Sequence, residues 1–209
     1  MKTGAIILAA GAASRMGKAK MLLPYQGITI LEQLISELKT VAPQSICLVT
    51  GKYHEAITQT IGDPAISLVY NKAWSNGMAG SIQAGMKALL QQIPDLDLVW
   101  IVVGDQPFLC KSVLQEMLRM HQETHKGIVA AQYKGIAGTP VLFSAVYFAA
   151  LQKLSGDKGA RVILQEHPED IALVAFPQGE LDIDTPEDYE RFLQQLNQQD
   201  AERPIQPGS

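Results

Sequence analysis

Seven short, continuously apolar runs alternate along the chain with longer stretches of amphipathic periodicity, and this alternation limits the fold more than any other feature. The runs are AIILA (5–9), SICLVT (45–50), ISLVY (66–70), LVWIVV (98–103), IVAAQ (128–132), PVLF (140–143) and IALVAF (171–176). Apolar residues at successive positions suit strands covered on both faces, and such strands belong to largely parallel sheets enclosed by helices. Between them, TILEQLISELKTV (29–41) places Leu31, Leu34, Ile35 and Leu38 on one helical face. AGSIQAGMKALLQQI (79–93) and KSVLQEMLRMHQETH (111–125) predict two more helices. A last helix starts in DTPEDYERFLQQL, with Thr185 as N-cap, Pro186 at N1 and Asp188 at N3. The expected class is α/β, a single three-layer domain over residues 1–197 with a mostly parallel sheet. Residues 198–209 are polar and proline-containing and read as a flexible tail.

Composition removes several functions from consideration. The 209 residues are 47% hydrophobic and 18% charged with a net charge of −4, which argues against a broad nucleic-acid-binding surface. No apolar run has the length to span a bilayer. The opening MKTGAIILAAG superficially resembles a signal peptide but reads better as a buried first strand. Two cysteines, Cys47 and Cys110, are too few for a disulfide framework. A cytoplasmic chain with no nucleic-acid or membrane partner is expected.

The first strand runs into LAAGAASRMGKAK (8–20). Small residues at Ala9, Ala10, Gly11, Ala12 and Ala13 let backbone wrap closely around a ligand, and successive N–H groups there can form an anion nest. Arg15, Lys18 and Lys20 add positive charge, and an arginine fork matches phosphate oxygens. A polyphosphate is the natural guest. The loop is not a P-loop: five residues separate Gly11 from Gly17, and Ala19 follows Lys18, leaving no hydroxyl for magnesium. The dinucleotide fingerprint G-x-G-x-x-G is also absent.

Carboxylates for a divalent ion stand elsewhere. VVGDQP presents Asp105 just past an apolar strand, and LDIDTPED presents Asp182 and Asp184 on one side of an extended segment. Asp105 also suits capping the turn before Pro107, and Asp184 suits charging the start of the helix after it. NKAWSNGMAGSIQAG (71–85) combines Asn71, Gly80 and Ser81 ahead of a helix, a second place for ribose, base or phosphate. Trp74 suits either the pocket or loop packing. SGDKGAR (155–161) supplies Lys158 and Arg161. His121 and His125, four apart on a helix, read as solvated residues without a third ligand.

LAAGAASRMGKAK resembles the signature loop of MobA-like nucleotidyltransferases, a class with a Rossmann-like nucleotide-binding domain. Within it the chain is most similar to the molybdenum cofactor cytidylyltransferases, over roughly residues 3–197. The resemblance implies a magnesium-dependent enzyme that joins CTP to the molybdenum cofactor, with Leu8, Ala9, Ala10, Gly11, Arg15, Lys20, Asn71, Gly80 and Ser81 around the nucleotide. It implies catalysis by Arg15, Lys20 and Asp105, metal binding by Asp105 and Asp184, with Asp182 the other candidate, and acceptor binding by Lys158 and Arg161. Ala10, where guanylyltransferase relatives have glycine, favours CTP by the same resemblance. A molybdenum hydroxylase such as xanthine dehydrogenase is the implied delivery partner. Alternatives are a sugar-phosphate nucleotidyltransferase, a non-catalytic accessory protein that holds cofactor, and an oxidoreductase, a label that some relatives of this fold carry.

Overall fold

The structure, a computed structural model, describes residues 1–11, 19–41, 43–157, 159–181, 183 and 185–202. Its strands are β1 (Thr3–Ala9), β2 (Pro24–Tyr25), β3 (Ile28–Thr29), β4 (Ser45–Thr50), β5 (Ile66–Tyr70), β6 (Leu98–Val103), β7 (Ile128–Tyr133), β8 (Ile136–Ser144) and β9 (Ile171–Ala175). Its helices are α1 (Ile30–Lys39), α2 (His54–Thr60), α3 (Met78–Gln92), α4 (Lys111–Thr124), α5 (Phe148–Gln152), α6 (Arg161–Glu166) and α7 (Pro186–Glu202). Seven strands form one sheet in the order β5-β4-β1-β6-β8-β7-β9. Among the described residues of that sheet, only β8 runs antiparallel to its neighbours.

Alternate side chains of the buried strands feed two cores. Ala5 and Ile7 of β1 belong with Leu31 and Leu34 of α1, Met117 of α4 and Phe192 of α7. Ile6 and Leu8 belong with Ile82 and Met86 of α3, Leu151 of α5 and Ile163 of α6. The expected three layers follow. Helix α3 lies tight on β1 because residue 85 is glycine; a Cβ there would stand 2.7 Å from Ile6 Cγ2. Cys47, in the middle of β4, is buried, and burial pushes its thiol up to about 12. That thiol is core rather than nucleophile.

Local chemistry sets the element ends. Thr29 caps α1 in a capping box, its Oγ1 accepting from the Glu32 N–H at 3.2 Å and the Glu32 carboxylate accepting from the Thr29 N–H at 2.7 Å. Thr185 and Asp188 repeat the device at α7, as their spacing predicts. Helix α7 continues to Glu202, past the boundary expected at 197.

The apolar run 140–143 belongs to a longer strand, because Lys134 and Gly135 (φ 50° and 73°) make a two-residue turn that folds β8 back on β7. Pairing between these strands skips Thr139 and Pro140, since proline has no N–H for the ladder.

Asp170 fastens the start of β9 to its surroundings. Its carboxylate accepts from Tyr147 Oη at 2.7 Å and from the Gly127 N–H at 3.0 Å. Burial pushes this carboxyl up, but the two hydrogen bonds, with Lys126 and His167 nearby, outweigh it and hold the group below the usual carboxylate range. The contribution to stability is therefore present above the unfolded-state value of about 3.9 and is lost as pH falls through the lower folded value. The stability difference between wild type and Asp170→Asn, read from urea unfolding, should shrink steadily below about pH 4.

Candidate active site

Strand β1 lies between β4 and β6, so the chain turns in opposite directions from it, and ligands collect in the crevice such a switch leaves beyond the strand ends. A cavity of about 390 Å³ opens there, with Leu8, Ala10 and Gly11 on the β1 side and Val103 and Asp105 on the β6 side. Asp105 is held by register: the next residue back, Gly104, donates its N–H to the Leu8 carbonyl at 2.9 Å. Lys20, at the start of a 3-10 turn (Lys20–Leu22), lines the same cavity.

The wall across from β1 is built by the segment before α3. Asn71 accepts from the Ala73 N–H at 3.0 Å and donates from Nδ2 to Ser81 Oγ at 3.0 Å. Ser81 lines the cavity, while Asn71 stands behind it as its brace. Gly80 also lies behind the lining; a Cβ there would be 3.6 Å from Asn71 Nδ2. Trp74 reaches the cavity across Gly51, where a Cβ would come within 2.7 Å of the tryptophan Cβ and 2.5 Å of the Ala10 carbonyl.

Gly77 makes the tightest turn of this wall. Its φ is +110°, and a Cβ would meet the Gly156 carbonyl at 2.6 Å. That carbonyl accepts from the Ala79 N–H at 3.2 Å, docking the 155–157 segment on the first turn of α3. Gly77→Ala should cost about 1–3 kcal/mol through backbone strain alone. Gly11→Ala should cost less, because a Cβ at Gly11 meets nothing within 4 Å among the described residues. Urea midpoints of the two variants check the ordering.

A second cavity of about 460 Å³ adjoins the first, and Met78, Val103 and Asp105 line both. Its walls are mainly aliphatic, with Ile82, Ile101, Val141 and Leu164 among them, and Lys134 and Arg161 supply cations. Arg161 is thus apart from Lys20, in the neighbouring chamber. Asp105 is where the chambers meet.

Most of the sequence-predicted set gathers here. Leu8, Ala10, Gly11, Lys20, Ser81 and Asp105 line the first cavity and Arg161 the second. Ala9 is buried at 1% exposure in the core beneath β1, because alternate residues of a strand face opposite sides. Arg15, Lys18, Lys158, Asp182 and Asp184 lie outside the described residues. Asp157 and Gln106 were not expected as lining residues, although each sits inside a segment singled out for its neighbours, SGDKGAR and GDQP. His121 and His125 do not converge: His121 Nδ1 meets the Lys126 carbonyl at 2.9 Å, and His125 takes a left-handed conformation at the end of α4.

Asp105 and Asp157 put carboxylates on the wall of the first cavity. Hard oxygen donors of this kind, completed by substrate phosphates, fit magnesium or manganese rather than a soft metal. Among the described residues no group of three or more His, Cys, Asp or Glu forms an all-protein metal cage. Nor is any described helix long and apolar enough to cross a membrane.

Comparison with known proteins agrees with this geometry. Residues 5–171 match the MobA-like NTP transferase domain, and the chain belongs to that family. It is 30% identical to nicotine blue oxidoreductase of Paenarthrobacter nicotinovorans, over 90% of this chain and 95% of that protein. It is 30% identical to the purine catabolism protein PucB of Bacillus subtilis (88% and 93%) and 28% identical to the molybdenum cofactor cytidylyltransferase of Escherichia coli (88% and 92%). Among solved structures it resembles Rv0371c of Mycobacterium tuberculosis, with a TM-score of 0.77 at 25% identity over 92% of this chain and 98% of that one. A second structure of Rv0371c, in complex with manganese, gives a TM-score of 0.72 at 24% identity, covering 93% and 99%.

Proposed function

We propose that this MobA-like NTP transferase moves CMP from CTP to the phosphate of the molybdenum cofactor. The observation that carries the reading is the pair of adjoining cavities that meet at Asp105, one beside the anion-suited end of β1 and one with aliphatic walls and cations. The cytidylyltransferase among the relatives and the alanine at position 10 support the choice of base and acceptor.

An oxygen of the acceptor phosphate attacks the α-phosphorus of CTP. The new P–O bond forms as the α–β bond breaks, and pyrophosphate leaves with that electron pair. The attacking group is already an anion, so no protein base need remove a proton. The protein's task is alignment and charge stabilisation. Lys20, and Arg15 by family resemblance, neutralise the triphosphate. Ser81, braced by Asn71, marks the nucleotide wall, while Arg161 and Lys158 hold the acceptor's charge. Asp105, with Asp184 as the family's second position, would hold a divalent ion, which supplies Lewis-acid stabilisation of the phosphoryl oxygens. Aliphatic walls keep water from the acceptor side.

Pyrophosphate release with the molybdenum cofactor and each of CTP, GTP, ATP and UTP, in magnesium and in manganese, tests the reading. Release confined to CTP and dependent on the cofactor is expected. Release with a sugar phosphate instead would move the acceptor assignment. Oxidation of a nicotinamide cofactor with no release from any nucleotide would favour the oxidoreductase role of the Paenarthrobacter relative.

A further inference from the structure

Helix α7 contributes no described residue to either cavity, and it lies beyond residues 5–171, which match the family's domain. Its inner face nevertheless packs against the two segments on which the first cavity depends. Phe192, 3% exposed, is the point of contact. Its ring centroid stands 5.7 Å from that of Tyr25 and 5.1 Å, edge to face, from that of Phe108. One turn back, the Tyr189 ring lies 6.0 Å from Phe192, and its Oη donates to the Pro24 carbonyl at 2.7 Å.

Each of these partners is a short step from a cavity residue. Pro24 and Tyr25 follow the Lys20–Leu22 turn. That turn is tied within itself, with the Leu22 N–H on the Ala19 carbonyl at 2.9 Å and the Leu23 N–H on the Lys20 carbonyl at 3.0 Å. Phe108 follows Asp105, inside the turn that the Leu109 N–H closes on the Gln106 carbonyl at 3.3 Å. Among the described residues no strand pairing joins the two segments: β2 and β3 form a sheet of their own, and Asp105 comes after β6 has ended. Packed aromatic rings are the tie that remains, and a close-packed interior transmits a displacement instead of absorbing it.

We infer that Phe192 is a positioning residue, and that α7 is the clamp that sets the span from Lys20 to Asp105 across the first cavity. This role rests on the reading of those two residues as the triphosphate and metal sides. Loss of the ring lets the two walls move separately, and misplacing reacting groups by about 1 Å costs about 10²-fold in rate. Reciprocity gives the clamp a second signature. A ligand that bridges the walls must stabilise α7, although it touches no described residue of that helix.

Hydrogen exchange read by mass spectrometry tests the clamp, first on the wild-type protein. CTP with magnesium should slow exchange by about threefold or more in residues 20–25, in 104–110 and in 189–196 of α7. Protection of the first two with α7 unchanged would overturn the inference without any appeal to a variant's folding. In Phe192→Leu without ligand, exchange should rise about tenfold in both 20–25 and 104–110. Ile57→Val, a change at a fully buried residue of α2, should move neither. Loosening of one segment alone, or equal loosening by Ile57→Val, would reduce Phe192 to ordinary packing. In turnover, Phe192→Leu should lower kcat about tenfold or more while the KM for CTP stays within about threefold. An unchanged kcat would overturn the positioning role. A wild-type protein that neither binds CTP nor releases pyrophosphate would sink the nucleotide reading, and paired loosening in Phe192→Leu would still uphold the clamp.

Discussion

Asp105→Ala is expected to lose about 10³-fold or more in turnover while the protein stays folded. Loss of a divalent ion's anchor removes several kcal/mol of transition-state stabilisation, and each ~1.4 kcal/mol is a factor of ten. The fold should survive because Asp105 follows β6 rather than belonging to it, and because Val102 and Ile101 in that strand are already fully buried. Asp105 lines both cavities, so its removal should harm the joint reaction more than either substrate's binding alone. Single-turnover rates in saturating magnesium, with circular dichroism as the folding control, check this. Near-wild-type turnover would take Asp105 out of the metal role.

Lys20→Ala is expected to lower turnover by about 10²–10³-fold, the range found when one preorganised donor is removed from a developing charge. The local electrostatics give the reason. Asp105 and Asp157 share the first cavity with Lys20, so a triphosphate entering without that cation would face carboxylates on the wall. Like charges brought together in one cavity repel. The effect should fall chiefly on kcat with CTP. A change confined to the KM of the acceptor would place the triphosphate in the wrong chamber.

Much of the scaffold is legible in the sequence because buried parallel strands leave a simple signal. The runs at 45–50, 66–70 and 98–103 coincide with β4, β5 and β6. The hairpins were not legible. Gln26–Gly27 and Lys134–Gly135 both use left-handed residues in two-residue turns, but neither has the Asn or Asp that usually announces one. The short helices α2 and α5 escaped for a related reason, since one or two turns carry too little periodicity to stand out.

The site divides similarly. Lys20, Ser81 and Asp105 were visible as charged or polar residues in loops that follow strands. Gln106 was not, because an amide next to a conspicuous aspartate carries no signal until the skipped Thr139 carbonyl is brought to it. Asn71 was read as a ligand contact; its side chain bonds Ala73 and Ser81 and braces the cavity wall, a role the sequence alone does not show.

The central claim is that two substrates meet at Asp105 and that a nucleotidyl group passes between them. Incubation with the molybdenum cofactor and CTP labelled at either the α- or the γ-phosphorus tests it most directly. The account predicts that α-label moves to the cofactor, as a cytosine dinucleotide, while γ-label appears only in pyrophosphate. Stable binding of both substrates, with α-label remaining in CTP, would contradict it and leave a protein that holds the cofactor without transferring to it.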